Sequence, residues 1–249
     1  MAYDYKLGKK RVLEILNDTN DVLVVKRIPS DQEFTYSNGY YGWVSAIFVD
    51  IRNSTRLFAE NRKSSTARII RAFSSEIIEI LKNDDSLREI GIRGDCVYAI
   101  YASPKEKDDF RLATKAFYIN GFIDMLNALL KQRKMPPLKV GIGLSTSQDL
   151  VIKSGRNKSK INAKVWIGKA VTFASKLSSI ANKNNIKSVI MMTSEFYKNI
   201  IGQLCDSNPG KDIKSNFTEY VANVIGICYG CNLVNSEFKE WINRGMNDE

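Results

Sequence analysis

Between Trp43 and Leu144 the chain changes periodicity in an order that restricts how it can fold. Trp43–Ile51 (WVSAIFVDI) is an apolar run that reads as a buried strand. Thr55–Lys82 then places Ile69, Ile70, Phe73, Ile77, Ile78 and Leu81 at i, i+3 and i+4 spacings, the mark of one or two amphipathic helices. Two short strands follow, Arg88–Arg93 and Cys96–Tyr101, joined through Gly94-Asp95 as a hairpin. Asp108–Lys134 is a second long helix, stopped by Pro136-Pro137, and Leu138–Leu144 is again a strand. Strand, long helix, hairpin, long helix, strand is met most simply by one α/β domain whose helices cover a sheet.

The flanks add shorter elements. Residues 5–17 have helical spacing, Val22–Val25 is a β-branched run, and Ile28–Tyr41 is rich in turn formers and tyrosine. Lys153–Lys164 reads as an exposed loop before a short strand at Val165–Ile167. Ala170–Asn182 is helical, Ser188–Met192 a strand and Glu195–Ile201 a short helix, after which short β runs alternate with turns up to a last helical stretch, Glu237–Asn243. No repeat or low-complexity linker divides the chain, so residues 1–249 are expected to form a single domain.

Composition removes whole classes of chemistry. The chain has no histidine, which excludes Ser-His-Asp, Cys-His and histidine–metal centres. Its four cysteines are scattered, and the lone Cys228-Tyr-Gly-Cys231 reads as core packing rather than a zinc site. Catalysis is left to carboxylates, Lys and Arg, hydroxyls, and metal ions that prefer oxygen. A net charge of +10 attracts nucleic acid or a small polyphosphate anion. A recognition helix or an RNP-like aromatic pair is missing, so nucleic acid is not the expected partner. No stretch reaches the roughly 20 apolar residues of a membrane span, and Lys and Glu interrupt the apolar residues of the first segment. A cytoplasmic protein without membrane insertion is expected.

Within this frame two aspartates stand out. Asp50 closes an apolar strand in FVDIRNST, and Asp95 sits at the hairpin tip in IGIRGDCVYAIY. If the two strands are neighbours, the carboxylates converge at one end of the sheet. Such a pair suits Mg²⁺ or Mn²⁺, and two such ions can clamp a phosphoryl transfer. Arg52-Asn53-Ser54-Thr55 leads into a helix whose free N–H groups favour anions. The plainer alternative is a helix N-cap plus an unrelated hairpin aspartate.

FVDIRNST, GIRGDCVYAIY, LKVGIGLS and VWIGKAVTFASKL, in this order, resemble the class III nucleotidyl cyclase catalytic domain. The resemblance covers roughly Trp43 to Met192, with 1–42 as an N-terminal extension and 193–249 completing the fold. It implies a ferredoxin-like βαββαβ core, a head-to-tail homodimer with active sites at the interface, and two divalent cations, Mn²⁺ or Mg²⁺. The metal ligands it implies are Asp50, the main-chain carbonyl of Ile51, and Asp95. The family's partner-supplied Asn and Arg, four residues apart on one helix, fall on Thr172 and Lys176. Lys keeps the charge but not the planar fork, and Thr is a shorter hydrogen-bonding group, which puts turnover more in question than binding.

Purine cyclases read the base with one residue four before the hairpin aspartate and another three before the helix glycine. Those positions are Gly91 and Val165, which offer no side-chain hydrogen bond. Arg93, two residues before Asp95, can share its face and donate to a pyrimidine carbonyl, and Phe48 shares a face with Asp50. Alternatively Arg93 pairs with Glu89 and Phe48 is core. With these departures the chain is similar to the pyrimidine cyclases of bacterial Pycsar anti-phage systems, which make cyclic UMP or cyclic CMP for a separate effector. The resemblance implies UTP ahead of CTP as substrate, Thr172 and Lys176 as catalytic groups, and Asn53, Ser54 and Thr55 cradling the outer phosphates. Lys139 in LKVGIG is a further candidate for the phosphates, or a surface lysine. The competing readings are an unusual purine cyclase and a silent nucleotide-binding module.

Overall fold

The computed structural model describes residues 2–18, 21–60, 62–155 and 162–247. Its centre is a strand–helix–strand–strand–helix–strand unit. β2 (Asn38–Ile51) is followed by α2 (Ser54–Glu60) and α3 (Lys63–Leu81), then by the hairpin of β3 (Leu87–Arg93) and β4 (Cys96–Ala102). α4 (Glu106–Gln132) and β5 (Val140–Gly155) complete the unit. The strands lie in the order β3-β4-β2-β5 with every neighbour antiparallel, the ferredoxin-like arrangement.

The sheet grows at both ends of this unit. α5 (Lys169–Ile180) leads to β7 (Ile190–Thr193), which joins β5 in parallel. α6 (Ser194–Asp206) leads on to the hairpin of β8 (Thr218–Ala222) and β9 (Gly226–Cys231), with β9 beside β7. β1 (Asp21–Val24) lies parallel to the first residues of β2, and β6 (Asn162–Ile167) pairs with the far half of β5. α1 (Tyr5–Leu16) precedes the sheet and α7 (Ser236–Asn243) closes the chain against α4.

Two strands are longer than their apolar runs. β2 begins five residues before Trp43, where Gly39, Tyr40 and Tyr41 pair with both β1 and β5. β5 runs on from Leu144 to Gly155 and folds back through β6, pairing Leu150 with Ile167 and Gly155 with Asn162. The expected exposed loop at Lys153–Lys164 is thus corrected: 153–155 and 162–164 are hairpin arms, and 156–161 lie outside the described residues. Ladder hydrogen bonds use the main chain, so a polar Lys/Ser/Asn composition does not prevent pairing at a sheet's edge. Cys228 and Cys231 sit three apart on β9 and belong to clusters on opposite faces of the sheet, so their thiols do not converge.

One face of the sheet carries the main core. Ile47, Val49 and Ile51 of β2 meet Ile69, Phe73, Ile77 and Leu81, an i, i+4 stripe along α3. α4 and α6 complete this layer. Within it the Asp109 carboxylate accepts from the Ser45 hydroxyl and, at 2.7 Å, from Asn199 Nδ2. The opposite face packs a single helix, α5, through Ala170 and Ala174. Gly143 of β5 faces the backbone of Ala174 and Ser178, and Gly141 faces the carbonyls of Ser178 and Ala181. A side chain at either glycine would collide with helix backbone, so GIG is the contact that seats α5.

Candidate active site

The register of β3, β4, β2 and β5 arranges the α5 face in rows. Arg93, Cys96, Asp50 and Gly141 are successive cross-strand partners, and Gly91, Tyr98, Phe48 and Gly143 form the next row. Side chains alternate along a strand, so Arg93, Asp50 and Phe48 project from one face, as their period-two spacing predicts. Asp95 sits at the β3–β4 turn beside the first row, where Gly94 takes φ +63°.

Asp50 and Asp95 are close enough to interact. Burial pushes the Asp50 carboxyl above the ordinary carboxylate range; Arg52 opposes this, and the charge of Asp95 raises it further. Arg52 Nη2 lies 3.2 Å from Asp50 Oδ2. The same guanidinium donates to the Ser178 carbonyl and, at 2.9 Å, to the Ser179 carbonyl, tying the last turn of α5 to the aspartate. Two neighbouring carboxylates that depend on nearby cations are a donor set of the kind hard divalent ions take. Beside Asp50, burial and the Asp50 charge push the Cys96 thiol up to about 12.

Beyond Asp50 the chain turns sharply. Asn53 takes φ +55°, and its carbonyl accepts from the N–H groups of Arg56 and Leu57 at 3.0 and 3.1 Å. Arg52, Asn53, Arg56 and Lys139 line one cleft beside Pro136–Leu138, which brings three cationic side chains together there. Ser54 and Thr55 begin α2 next to it, and the Lys139 carbonyl fixes the Arg52 N–H at 2.7 Å.

On α5, Thr172 and Lys176 are both exposed and lie one turn apart. Neither bonds to Asp50 or Asp95 within one chain, among the described residues. Phe48, Arg93, Val165, Trp166 and Val171 line a separate cleft on the same sheet face, with Tyr98 and Glu89. Glu89 is engaged by Tyr98 and Trp166, each at 2.8 Å, rather than by Arg93, which makes no hydrogen bond or ion pair among the described residues. Phe48 is buried, yet its ring forms part of the cleft wall, stacked on Tyr98 at 5.2 Å.

Sequence reasoning overlooked Arg52 as the Asp50 counter-charge, Lys183, whose charge also acts on Asp50, and the Tyr98–Glu89–Trp166 group. Only Tyr98 had a signal. A glycine inside a strand, Gly91, announces a close neighbour on that face.

Comparison with known proteins agrees with this architecture. Residues 37–206 match the family model of the adenylate and guanylate cyclase catalytic domain. A uridylate cyclase from Treponema porcinum is 48% identical over 249 residues, all of this chain and 84% of that protein. A uridylate cyclase from Gulbenkiania mobilis is 31% identical, with 96% of each chain covered. Among solved structures, a class III adenylyl cyclase-like ATP-binding protein from Pseudomonas aeruginosa superposes with a TM-score of 0.64 at 16% identity, over 94% of this chain and 48% of that one. The adenylyl cyclase CyaB from P. aeruginosa gives 0.61 at 19% identity, over 80% and 96%. These structural likenesses concern the fold. With the family match spanning most of the sheet and a relative similar along the whole chain, this protein belongs to the adenylate and guanylate cyclase catalytic domain family, the class III nucleotidyl cyclases.

Proposed function

We propose that this cyclase converts UTP to 3′,5′-cyclic UMP and pyrophosphate. The observation that carries the reading is similarity to a uridylate cyclase along the entire chain, including the first 36 residues that the family model leaves out. The cleft supports it: position 91 is glycine, position 165 is valine, and Arg93 stands unengaged at the rim to donate to a pyrimidine carbonyl.

Asp50, the Ile51 carbonyl and Asp95 would hold two divalent cations, Mg²⁺ or Mn²⁺. When bound, these ions supply charge neutralisation of the triphosphate and acidify the ribose 3′-hydroxyl. Asn53, Ser54, Thr55 and Lys139 retain the outer phosphates, with Arg52 positioning Asp50. The 3′-oxygen attacks the α-phosphorus, its proton is lost, and pyrophosphate leaves. Lys176 neutralises charge on the phosphoryl oxygens and Thr172 orients the sugar. Both are exposed one turn apart on α5, which supports a homodimer in which α5 of one copy completes the metal end of the other.

We take 1–249 as one domain with its core at 43–192, working in the cytoplasm. No helix among the described residues is long and apolar enough to cross a membrane. The product would activate a separate effector in anti-phage defence.

Incubating the protein with ATP, GTP, CTP or UTP and Mn²⁺, with an Asp50→Ala control, tests the reaction by mass spectrometry. Cyclic UMP that vanishes in the control is the expected result. A cyclic purine overturns the reading, and cyclic CMP alone moves it to cytidylate cyclisation. No product from any nucleotide points to a silent binding module.

A further inference from the structure

The base cleft contains a device that neither the metal end nor the α5 residues explain. Gly91, Tyr98 and Phe48 are cross-strand partners in one row. The Tyr98 ring leans over Gly91, where a Cβ would come within 2.8 Å of Cε1, Cζ and Oη together. That ring is not free to swing aside. Its other flank stacks on Phe48 with ring planes 14° apart. Its hydroxyl donates to Glu89 Oε1 at 2.8 Å, and Glu89 Oε2 accepts from Trp166 Nε1 at 2.8 Å. β3, β4 and β6 are therefore pinned to one another across the cleft by a single carboxylate with both oxygens used.

We propose that Tyr98, clamped by Glu89 and Trp166 over Gly91, sets the depth of the base pocket so that a one-ring base fits and a two-ring base does not. Tyr98 fills the space that a side chain at position 91 would otherwise occupy, which makes Gly91 and Tyr98 a reciprocal pair. Exclusion of purines is then steric, through a fixed ring, and is separate from any hydrogen bond that Arg93 makes. Glu89 and Trp166 act as positioning residues that keep the ring in place. This inference rests on the pyrimidine-cyclase reading above.

The test measures equilibrium affinity for UTP, CTP and ATP by displacement of a labelled nucleotide, and in parallel identifies the products of turnover. In Tyr98→Ala the ATP:UTP affinity ratio is expected to rise by about tenfold or more, the scale on which pocket size discriminates ligands. Tyr98→Phe keeps the ring but loses the hydroxyl that Glu89 holds, so its ratio should rise less than in Tyr98→Ala and fall between that variant and wild type. The CTP:UTP ratio should stay level in both, since these bases share one ring. If Tyr98→Ala does not fold, Tyr98→Val retains strand propensity and carries the same expectation. An unchanged ATP:UTP ratio in the folded small-residue variant overturns the size filter, even while wild type makes cyclic UMP. Wild type making only a cyclic purine overturns the pyrimidine reading instead, so the two failures are distinct.

Discussion

Along β2, Ile47, Val49 and Ile51 point into one layer, while Ala46, Phe48 and Asp50 point into the other. The first layer is deep. α3, α4 and α6 cover it, and its large side chains, Phe73, Phe196 and Ile142 among them, are almost fully buried. The second layer holds one helix, seated on bare glycines, and leaves Arg93, Thr172 and Lys176 exposed. The same strands thus support a face that supplies stability and a face that carries the proposed site. The difference lies in how much apolar area each face removes from water.

This division can be broken at either face. The largest expected effect is on chemistry: Asp50→Ala should reduce cyclase product to background while moving the thermal midpoint little, because the desolvation of the partly buried Asp50 carboxylate offsets its ion pair with Arg52. A large fall in melting temperature would show that the chemical face also carries stability.

Phe73→Ala should do the reverse. Truncating a buried aromatic typically costs about 3–5 kcal/mol, read as a lower melting temperature, with kcat per folded molecule retained; Phe73 is 1% exposed on the α3 side. Gly143→Ala sharpens the comparison because it should affect both properties. The new methyl meets the Ala174 carbonyl of α5, so about 3 kcal/mol is expected for overpacking. The displaced helix should lower kcat more than it raises KM, since Thr172 and Lys176 ride on it.

The smallest effect tests a buried carboxylate of the deep layer, Asp109. Burial holds Asp109 at about 6, above its ordinary 3.8. The folded chain therefore binds this proton more tightly than the unfolded chain. The associated stability is fully present below about pH 4 and lost as pH rises through 6. Asp109→Asn, with the Asn199 amide turned to offer its oxygen, should gain on wild type by about 1–3 kcal/mol between pH 4 and 7. Parallel stability–pH curves for the two proteins would refute this.

Much of this was legible beforehand, for reasons that particular residues illustrate. The α3 stripe Ile69, Phe73, Ile77, Leu81 is a local periodicity that only a helix satisfies, and it is buried as spaced. Asp50 and Phe48 share a face because alternation along a strand is a local rule. Lys153 and Lys164 misled because strand pairing at the β5–β6 hairpin is decided by a partner strand, not by the polarity of either run. Glu89 misled in the same way. Its natural partner by sequence proximity was Arg93, yet the carboxylate is held by Tyr98 from β4 and by Trp166 from β6.

The sequence by itself determined which residue types could act. Without histidine, and with Asp50 closing an apolar strand and Asp95 at a hairpin tip, the residues allowed oxygen-loving cations, a reading level with a plain helix cap and an unrelated hairpin aspartate until the four-block resemblance was added. Only the tertiary structure decided who stands beside whom. Arg52 reaches the carbonyls of Ser178 and Ser179, 126 and 127 residues away, and Glu89 meets Trp166 across 77. Such pairings depend on strand order and register, which many distant side chains fix together, and no local periodicity encodes them.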